Sequence, residues 1–523
     1  MLHDCTQYVR TEVPIVPRLG ADQNLQARLV RRRQGPSRLL VVECIAPGGS
    51  SHNGNTRDTQ EPSYSRLLEG CGTAFGSILI LGLGGWSYHQ YYKSLVLSKI
   101  ENAFAPGFST LELAALGRRT ISASPNSPDT DHDWVPRAEQ AIIDAIVDGS
   151  TMGRYHLLTG EKGTGKTSML LKAMQRIEGD GVAMLEAHGD LEIFRVRLGK
   201  AIDYEFHEDY VGSLFSFQGP RSTTPLLDIE RAFNKMEKIA LRRYERVGKP
   251  LVLIINGAHL IRDNEDGQHL LELIQQRAEL WAASNLVTVV LNADEYWITE
   301  RLTSRATRLA VMPVRDIPQK EAIAALKSFR KRTFLENVSK DVLAQVYANV
   351  GGRLRFLDDV AKSPDMLQAC QSILEKEKRW FLSQCWILGG DMDDDAEDQQ
   401  EFCAAAMVLA KALVKREAAE LGRPGCDGQL PRMPLHEARQ VMTRADFIQR
   451  HDHLNIFAID SEGMVQADSV AMQNVFRDIC NQDNFDEHLR ATLDRLDELE
   501  SLGRTRELTM KDARTKGLVG SAN

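Results

Sequence analysis

Residues 155–169 read YHLLTGEKGTGKTSM. A short apolar run leads into Gly160, Glu161, Lys162, Gly163, Thr164, Gly165, Lys166 and Thr167, which fit G-x-x-x-x-G-K-[ST] at every fixed position. The spacing has a chemical reason. Glycines let the loop curl so that successive backbone N–H groups point at phosphate oxygens. The helix that starts near Gly165 adds its positive N-terminal end. Lys166 is placed to reach β- and γ-phosphates, and the Thr167 hydroxyl to hold Mg²⁺. With Ser168, which opens the helical stretch SMLLKAMQRI, these residues form the candidate nucleotide-binding set.

Downstream of this loop, strands and helices alternate, the pattern of a mostly parallel sheet. Strand signals fall at 181–187 (GVAMLEA), 250–255 (PLVLII), 285–291 (NLVTVVL) and 309–314. The run at 250–255 is wholly apolar, as a central buried strand requires. Helices are expected at 229–246 and 267–283, the second with Leu270, Leu271, Ile274, Ala278 and Trp281 on one face. From 317 the pattern turns helical: 320–333, 339–349 and, after Gly351 and Gly352, a further stretch opened by Arg353. Residues 446–478 read helix, strand, turn, strand, helix, the order of a winged-helix-like module.

The strand at 251–255 matters for chemistry. In phosphate-loop ATPases this strand ends in an Asp that orders Mg²⁺, and an adjacent Glu often polarises the attacking water. Here it ends in Asn256 and Gly257. Asn256 can accept a hydrogen bond from a Mg²⁺-bound water but brings no negative charge. Gly257 cannot act as a base. The expectation is nucleotide binding with slow or absent hydrolysis. Asn292, at the end of VTVVL, is placed to sit between loop and strand and to contact a γ-phosphate. Arg301, Arg305 and Arg308 follow; Arg305 is a candidate arginine finger toward a neighbouring subunit, or part of a solvated helix face. Arg353 is a candidate to reach the phosphates from the helical region.

Composition sets bounds. The chain has 523 residues, enough for two to four domains. A net charge of −8 argues against a general nucleic-acid binder. Eight cysteines without a C-x-x-C pair suggest neither a zinc site nor a disulfide framework. Residues 1–69 mix Pro, Gly, Ser, Asn and Arg and read as a poorly ordered arm. The run Arg31-Arg32-Arg33 fits a mitochondrial address, while Asp4, Glu12, Asp22 and Glu43 count against it; cytoplasm or nucleus is the alternative. Residues 70–92 lack Asp, Glu, Lys and Arg, with Trp86, Tyr88, Tyr91 and Tyr92 at one end. They are long enough for a single membrane span, or else form a buried helix. Residues 93–130 read as helix and linker, and 131–316 as the nucleotide-binding core. The divisions that follow are 317–390 (helical lid), 391–445 (acidic loop, helix and linker), 446–485 (winged-helix-like module) and 486–523 (C-terminal helix and tail).

Together these pieces resemble the AAA+ superfamily, and within it the origin-recognition/Cdc6-like and STAND-type ATPases. The resemblance is carried by Val135-Pro136-Arg137-Ala138-Glu139, the loop GEKGTGKT (Walker A), the strand LVLIINGAHL, Asn292 and GGRLRFL at 351–357. His259 and Leu260 fit the family's D-E-x-H-x-L shape; Asn256 and Gly257 depart from it. It implies an α/β fold: a P-loop αβα sandwich with a parallel sheet, a helical lid and a winged-helix-like C-terminal module. It also implies ATP with Mg²⁺, and a homo-oligomer or protein partner. Open alternatives are an active ATPase, a catalytically degenerate nucleotide-gated scaffold, an initiator-like DNA-binding protein or a small-molecule kinase.

Overall fold

The computed structural model describes residues 64–107, 135–204, 224–391, 396–420, 430–442, 444 and 446–515. The expectations for the N-terminal arm before 64, for 108–130 of the helix-and-linker stretch, and for 392–395 and 421–429 of the 391–445 stretch lie outside them. The chain divides into two compact units, Met1–Ala74 and Phe75–Asn523. In the first, the described residues are the opening of helix α1 (Tyr64–Ala103); everything below concerns the second.

In chain order the elements after α1 are α2 (Gln140–Val147), β1 (Tyr155–Thr159), α3 (Lys166–Arg176), β2 (Val182–Glu186), α4 (Leu191–Ala201), α5 (Pro225–Val247), β3 (Leu251–Asn256), α6 (Glu265–Ser284), β4 (Val287–Asn292), α7 (Tyr296–Thr303) and β5 (Leu309–Pro313). The five strands form one parallel sheet in the order β2-β3-β4-β1-β5. Parallel strands joined through helices are covered on both faces, which is why β1 and β4 are buried along their whole length and β3 up to Asn256. All five residues expected on one face of α6 are buried. Trp281 meets Phe233 of α5 edge-on, with centroids 5.4 Å apart. Thr224 caps α5 and Pro225 starts it, as helix N-termini favour.

A helical lid follows: α8 (Gln319–Thr333), α9 (Lys340–Val350), α10 (Leu354–Lys362) and α11 (Met366–Gln384). Its core joins Leu326, Leu343, Val346, Val350, Phe356 and Val360. The last module contains α12 (Glu397–Glu420), β6 (Met433–Pro434), α13 (Leu435–Val441), α14 (Phe447–His453), β7 (Phe457–Ile459), β8 (Met464–Ala467), α15 (Val470–Cys480) and α16 (Phe485–Thr515). Its sheet is antiparallel, in the order β6-β8-β7. The hydrophobic core of this module unites Phe381, Phe402, Phe447, Phe457, Phe476 and Leu489. It therefore draws on helices on either side of the 446–485 stretch. Ala471 of α15 is buried in the lid's cluster, so lid and winged helix share packing.

The membrane span expected at 70–92 is not found. The stretch lies within a continuous 40-residue helix, yet among the described residues no helix is long and apolar enough to cross a membrane. The reason is compositional. Gly70, Gly72, Gly76, Gly82, Gly84 and Gly85 add no apolar side chain, and Ser77, Ser87, His89 and Gln90 are polar. The far end of α1 instead packs on the sheet domain through Val96 and Ile100, with Phe104 just beyond it.

His156, on β1, is buried with its Nε2 unpartnered among the described residues. Burial, helped by Arg154, pushes its pKa from 6.5 down to about 4. The folded state thus resists charging, and stability present above pH 6.5 is lost as pH falls through about 4. Going from pH 7 to pH 5 should cost about 2 kcal/mol from this group. Thermal melts of the wild-type chain should show that loss, and His156→Leu should show a shallower one; equal slopes would refute the assignment.

Candidate nucleotide-binding site

The carboxyl ends of β1, β3 and β4 lie side by side, with Leu158 in register with Asn292 and Glu186 with Asn256. In open α/β sheets ligands bind at this edge. The loop 160–165 leaves β1 here. Gly160 has φ +145, and a Cβ on it would lie 2.3 Å from the Val314 carbonyl oxygen, so only glycine fits. Lys166 begins α3 and is 4% exposed. Its Nζ donates to the carbonyls of Gly160 (2.7 Å) and Glu161 (2.8 Å) and pairs with Asp294 Oδ1 at 2.9 Å. Burial holds this ammonium below the usual lysine range, while Asp294 pulls the other way. Arg137 braces the loop from outside by donating to the Thr164 carbonyl at 2.8 Å. Lys162 and Ser168 are exposed, while Gly163 and Gly165 pack against Arg355 and Leu354 of α10.

Thr167, Asn256 and Asn292 meet in a triangle. Thr167 Oγ1 and Asn292 Nδ2 donate to Asn256 Oδ1 at 3.0 and 2.6 Å. Asn292 Nδ2 also reaches Thr167 Oγ1 at 3.2 Å. Asn292 Oδ1 is buried with no partner among the described residues. An unpaired buried acceptor beside a hydroxyl and an amide oxygen fits the water shell of a hydrated Mg²⁺.

Arg353 is 2% exposed. Its Nε donates to Asp316 Oδ1 (2.7 Å), and one terminal nitrogen donates to both the Lys162 carbonyl (2.9 Å) and Asp468 Oδ2 (3.1 Å). The other donates to the Asp468 carbonyl. Burial opposes its charge, but Asp316, Asp468 and Glu161 outweigh it and keep the guanidinium above its ordinary value. Next to it, Gln466 Nε2 donates to Glu161 Oε1 at 3.2 Å. Asp468 and Gln466 belong to β8 and the turn after it, so the winged helix touches the phosphate loop directly. An apolar cavity of about 500 Å³ lies between residues 135–136 and the lid, lined by Val135, Pro136, Phe329, Leu354 and Leu357. Leu354 borders both this cavity and Gly165.

The structure thus gathers Gly160 to Ser168, Asn256, Asn292 and Arg353. It does not bring Arg305 into the group: that side chain is exposed and pairs with Glu272 on α6 at 2.7 Å. Sequence reading missed Asp294, Asp316, Gln466 and Asp468. Asp294 had a signal, two residues past Asn292. The other three come from distant stretches that only the fold brings to the loop.

Residues 136–290 match the family model of the AAA ATPase domain, and residues 383–500 that of the fungal AAA protein C-terminal winged helix domain. No curated relative matches the chain. Among solved structures it is similar to a Walker-type ATPase of Pyrococcus abyssi, at 13% identity over 66% of this chain and 97% of that one, with a TM-score of 0.43. It is also similar to the ORC2 protein of Aeropyrum pernix, at 10% identity over 69% and 97%, TM-score 0.37. AMPPCP-bound DnaA from Aquifex aeolicus shares 12% identity over 62% and 90%, TM-score 0.30. Such distant likenesses carry no weight on function. The chain thus carries an AAA ATPase domain, residues 136–290, followed by a C-terminal winged helix domain of the fungal AAA protein type, residues 383–500.

Proposed function

We propose that the chain is a slow ATP-driven switch that passes the state of its phosphate loop to its winged helix. The observation that supports this most is Arg353. One buried guanidinium binds the loop carbonyl of Lys162, Asp316 ahead of the lid and Asp468 beside β8. A triphosphate arriving at the loop brings several negative charges next to this cation. Arg353 then has a competing partner, and its grip on Asp468 is the contact that has to give. In this reading Lys166 and the loop amides hold the β- and γ-phosphates. The cavity beside Val135, Phe329 and Leu357 takes the base. Thr167 would hold Mg²⁺, and Asn256 and Asn292 would bond its waters. Mg²⁺ supplies charge neutralisation of the phosphates. Without an acid at 256 or 257, turnover is slow and the bound state long-lived, so a protein partner or a second copy of the chain has time to read it.

In the full-length chain, ATP should speed backbone hydrogen exchange across residues 464–480, and Lys166→Ala should abolish both ATP binding and this response. Unchanged exchange on ATP saturation would refute the switch. Intact binding in Lys166→Ala would refute the site.

Arg353→Ala leaves Asp316 and Asp468 facing each other without their cation. Breaking a buried pair in this way costs about 3–5 kcal/mol. The variant should melt lower and exchange quickly over 464–480 without ATP. Wild-type behaviour would show that Arg353 is not the tie.

Asn256 accepts both of its triangle bonds through Oδ1, so Asn256→Asp preserves them and adds charge beside Mg²⁺. Single-turnover hydrolysis should rise about tenfold, worth about 1.4 kcal/mol of barrier; no change would detach the slow rate from this substitution.

A further inference from the structure

We propose that Asp294 is the acid that orients the attacking water, taking over from β4 the task that β3 no longer performs. The inference rests on the ATP reading above.

The usual place of that acid is closed. Gly257 follows β3 with φ +66, a left-handed backbone that an L-residue adopts only with strain, and a Cβ there would lie 3.1 Å from Leu260 Cδ1. A Glu at 257 would be strained as well as absent. β4 is the neighbour of both β3 and β1, so the turn leaving it lies between the β3 end and the phosphate loop. Ala293 N–H donates to the Leu158 carbonyl at 2.9 Å, which pins this turn to β1. Asp294 comes next.

Three features single it out. Its Oδ1 touches Lys166 Nζ at 2.9 Å, so when Lys166 moves to the phosphates the carboxylate is left within a water's reach of them. Its side chain is 21% exposed and borders a cavity of about 340 Å³ that also reaches Thr159, Gly160 and Glu161, which leaves room for water. And its backbone is held in place: Asp294 N–H donates to His259 Nδ1 at 3.1 Å, with His259 Nε2 3.8 Å from Asp294 Oδ2. The neighbouring acids are engaged elsewhere. Glu295 accepts from Trp297 Nε1 and pairs with His453, Asp316 holds Arg353, and Glu161 accepts from Gln466.

In the step, the water oxygen bonds to the γ-phosphorus while the bond from that phosphorus to the β–γ bridging oxygen breaks, its electron pair leaving with ADP. Asp294 accepts the water's proton and returns it to the inorganic phosphate. His259 touches no reacting atom; it is a positioning residue.

The test measures binding of a fluorescent ATP analogue and single-turnover hydrolysis of ATP in the full-length wild type, Asp294→Asn, Asp294→Glu and His259→Gln, each checked for folding by circular dichroism. Asp294→Asn should hydrolyse at least tenfold more slowly and bind the analogue as well as, or more tightly than, the wild type, because Lys166 loses its competing carboxylate. Asp294→Glu should recover part of the rate. His259→Gln should slow turnover severalfold without weakening binding. Wild-type turnover in a folded Asp294→Asn that binds the analogue would overturn the proposal and leave Asp294 a counter-ion of Lys166. So would a wild type that binds the analogue but never turns over. A wild type that binds no nucleotide would overturn the ATP reading itself, and this one with it.

Discussion

A guanidinium cannot be taken out of water unless its donors are satisfied and its charge is matched. Arg353 meets that demand only where three other pieces of chain converge: the loop carbonyl of Lys162, Asp316 after β5, and the side chain and carbonyl of Asp468. None of these alone would suffice. The sheet domain, the lid and the winged helix therefore have to adopt one mutual arrangement for this residue to be buried at all. Shared apolar packing, such as Ala471 among lid residues, adds area but little direction. The charge cluster supplies the direction.

The same region explains how a neutral triangle replaces a charged pair. An Asp at the end of β3 would face Thr167 and bind Mg²⁺ strongly. Asn256 keeps the acceptor geometry and gives up the charge, while Asn292 holds it in place with a 2.6 Å bond. A rigid neutral triangle and a lysine already paired to Asp294 make a loop that is shaped before nucleotide arrives. What it lacks is an acid at 256 or 257, and in the proposed reading that deficit would bear on turnover more than on grip.

Local features were the legible ones. G-x-x-x-x-G-K-T works through backbone curl and one lysine within eight residues, so Gly160 to Thr167 could be read directly. The runs at 250–255 and 285–291 named their own strands, and their ends named Asn256 and Asn292. Features with a long sequence separation were not legible. Asp468 lies 115 residues from Arg353, and no periodicity links them. β6 has two residues, Met433 and Pro434, too few to show alternation. Residues 70–92 mislead for a different reason: length, absence of charge and an aromatic end suggest a span, but glycine and small polar residues fill much of the stretch. Arg305 shows the remaining limit, since an arginine after β4 can serve a neighbour or a surface pair with Glu272, and the letters are the same.

Lys166 and Arg353 present one physical problem twice. Each is a nearly buried cation beside the loop 160–165, and each is neutralised by a carboxylate from outside the loop. A triphosphate cannot be gripped by either without loosening one of those pairs. The two carboxylates have different surroundings. Asp294 lies on a short turn pinned to β1, so on release it would stay beside the loop. Asp468 belongs to the winged-helix module, so its release frees a contact between modules. In the proposed switch, the same incoming charge would leave one acid in place for chemistry and loosen the other from the loop, and this asymmetry would couple nucleotide occupancy to the winged helix.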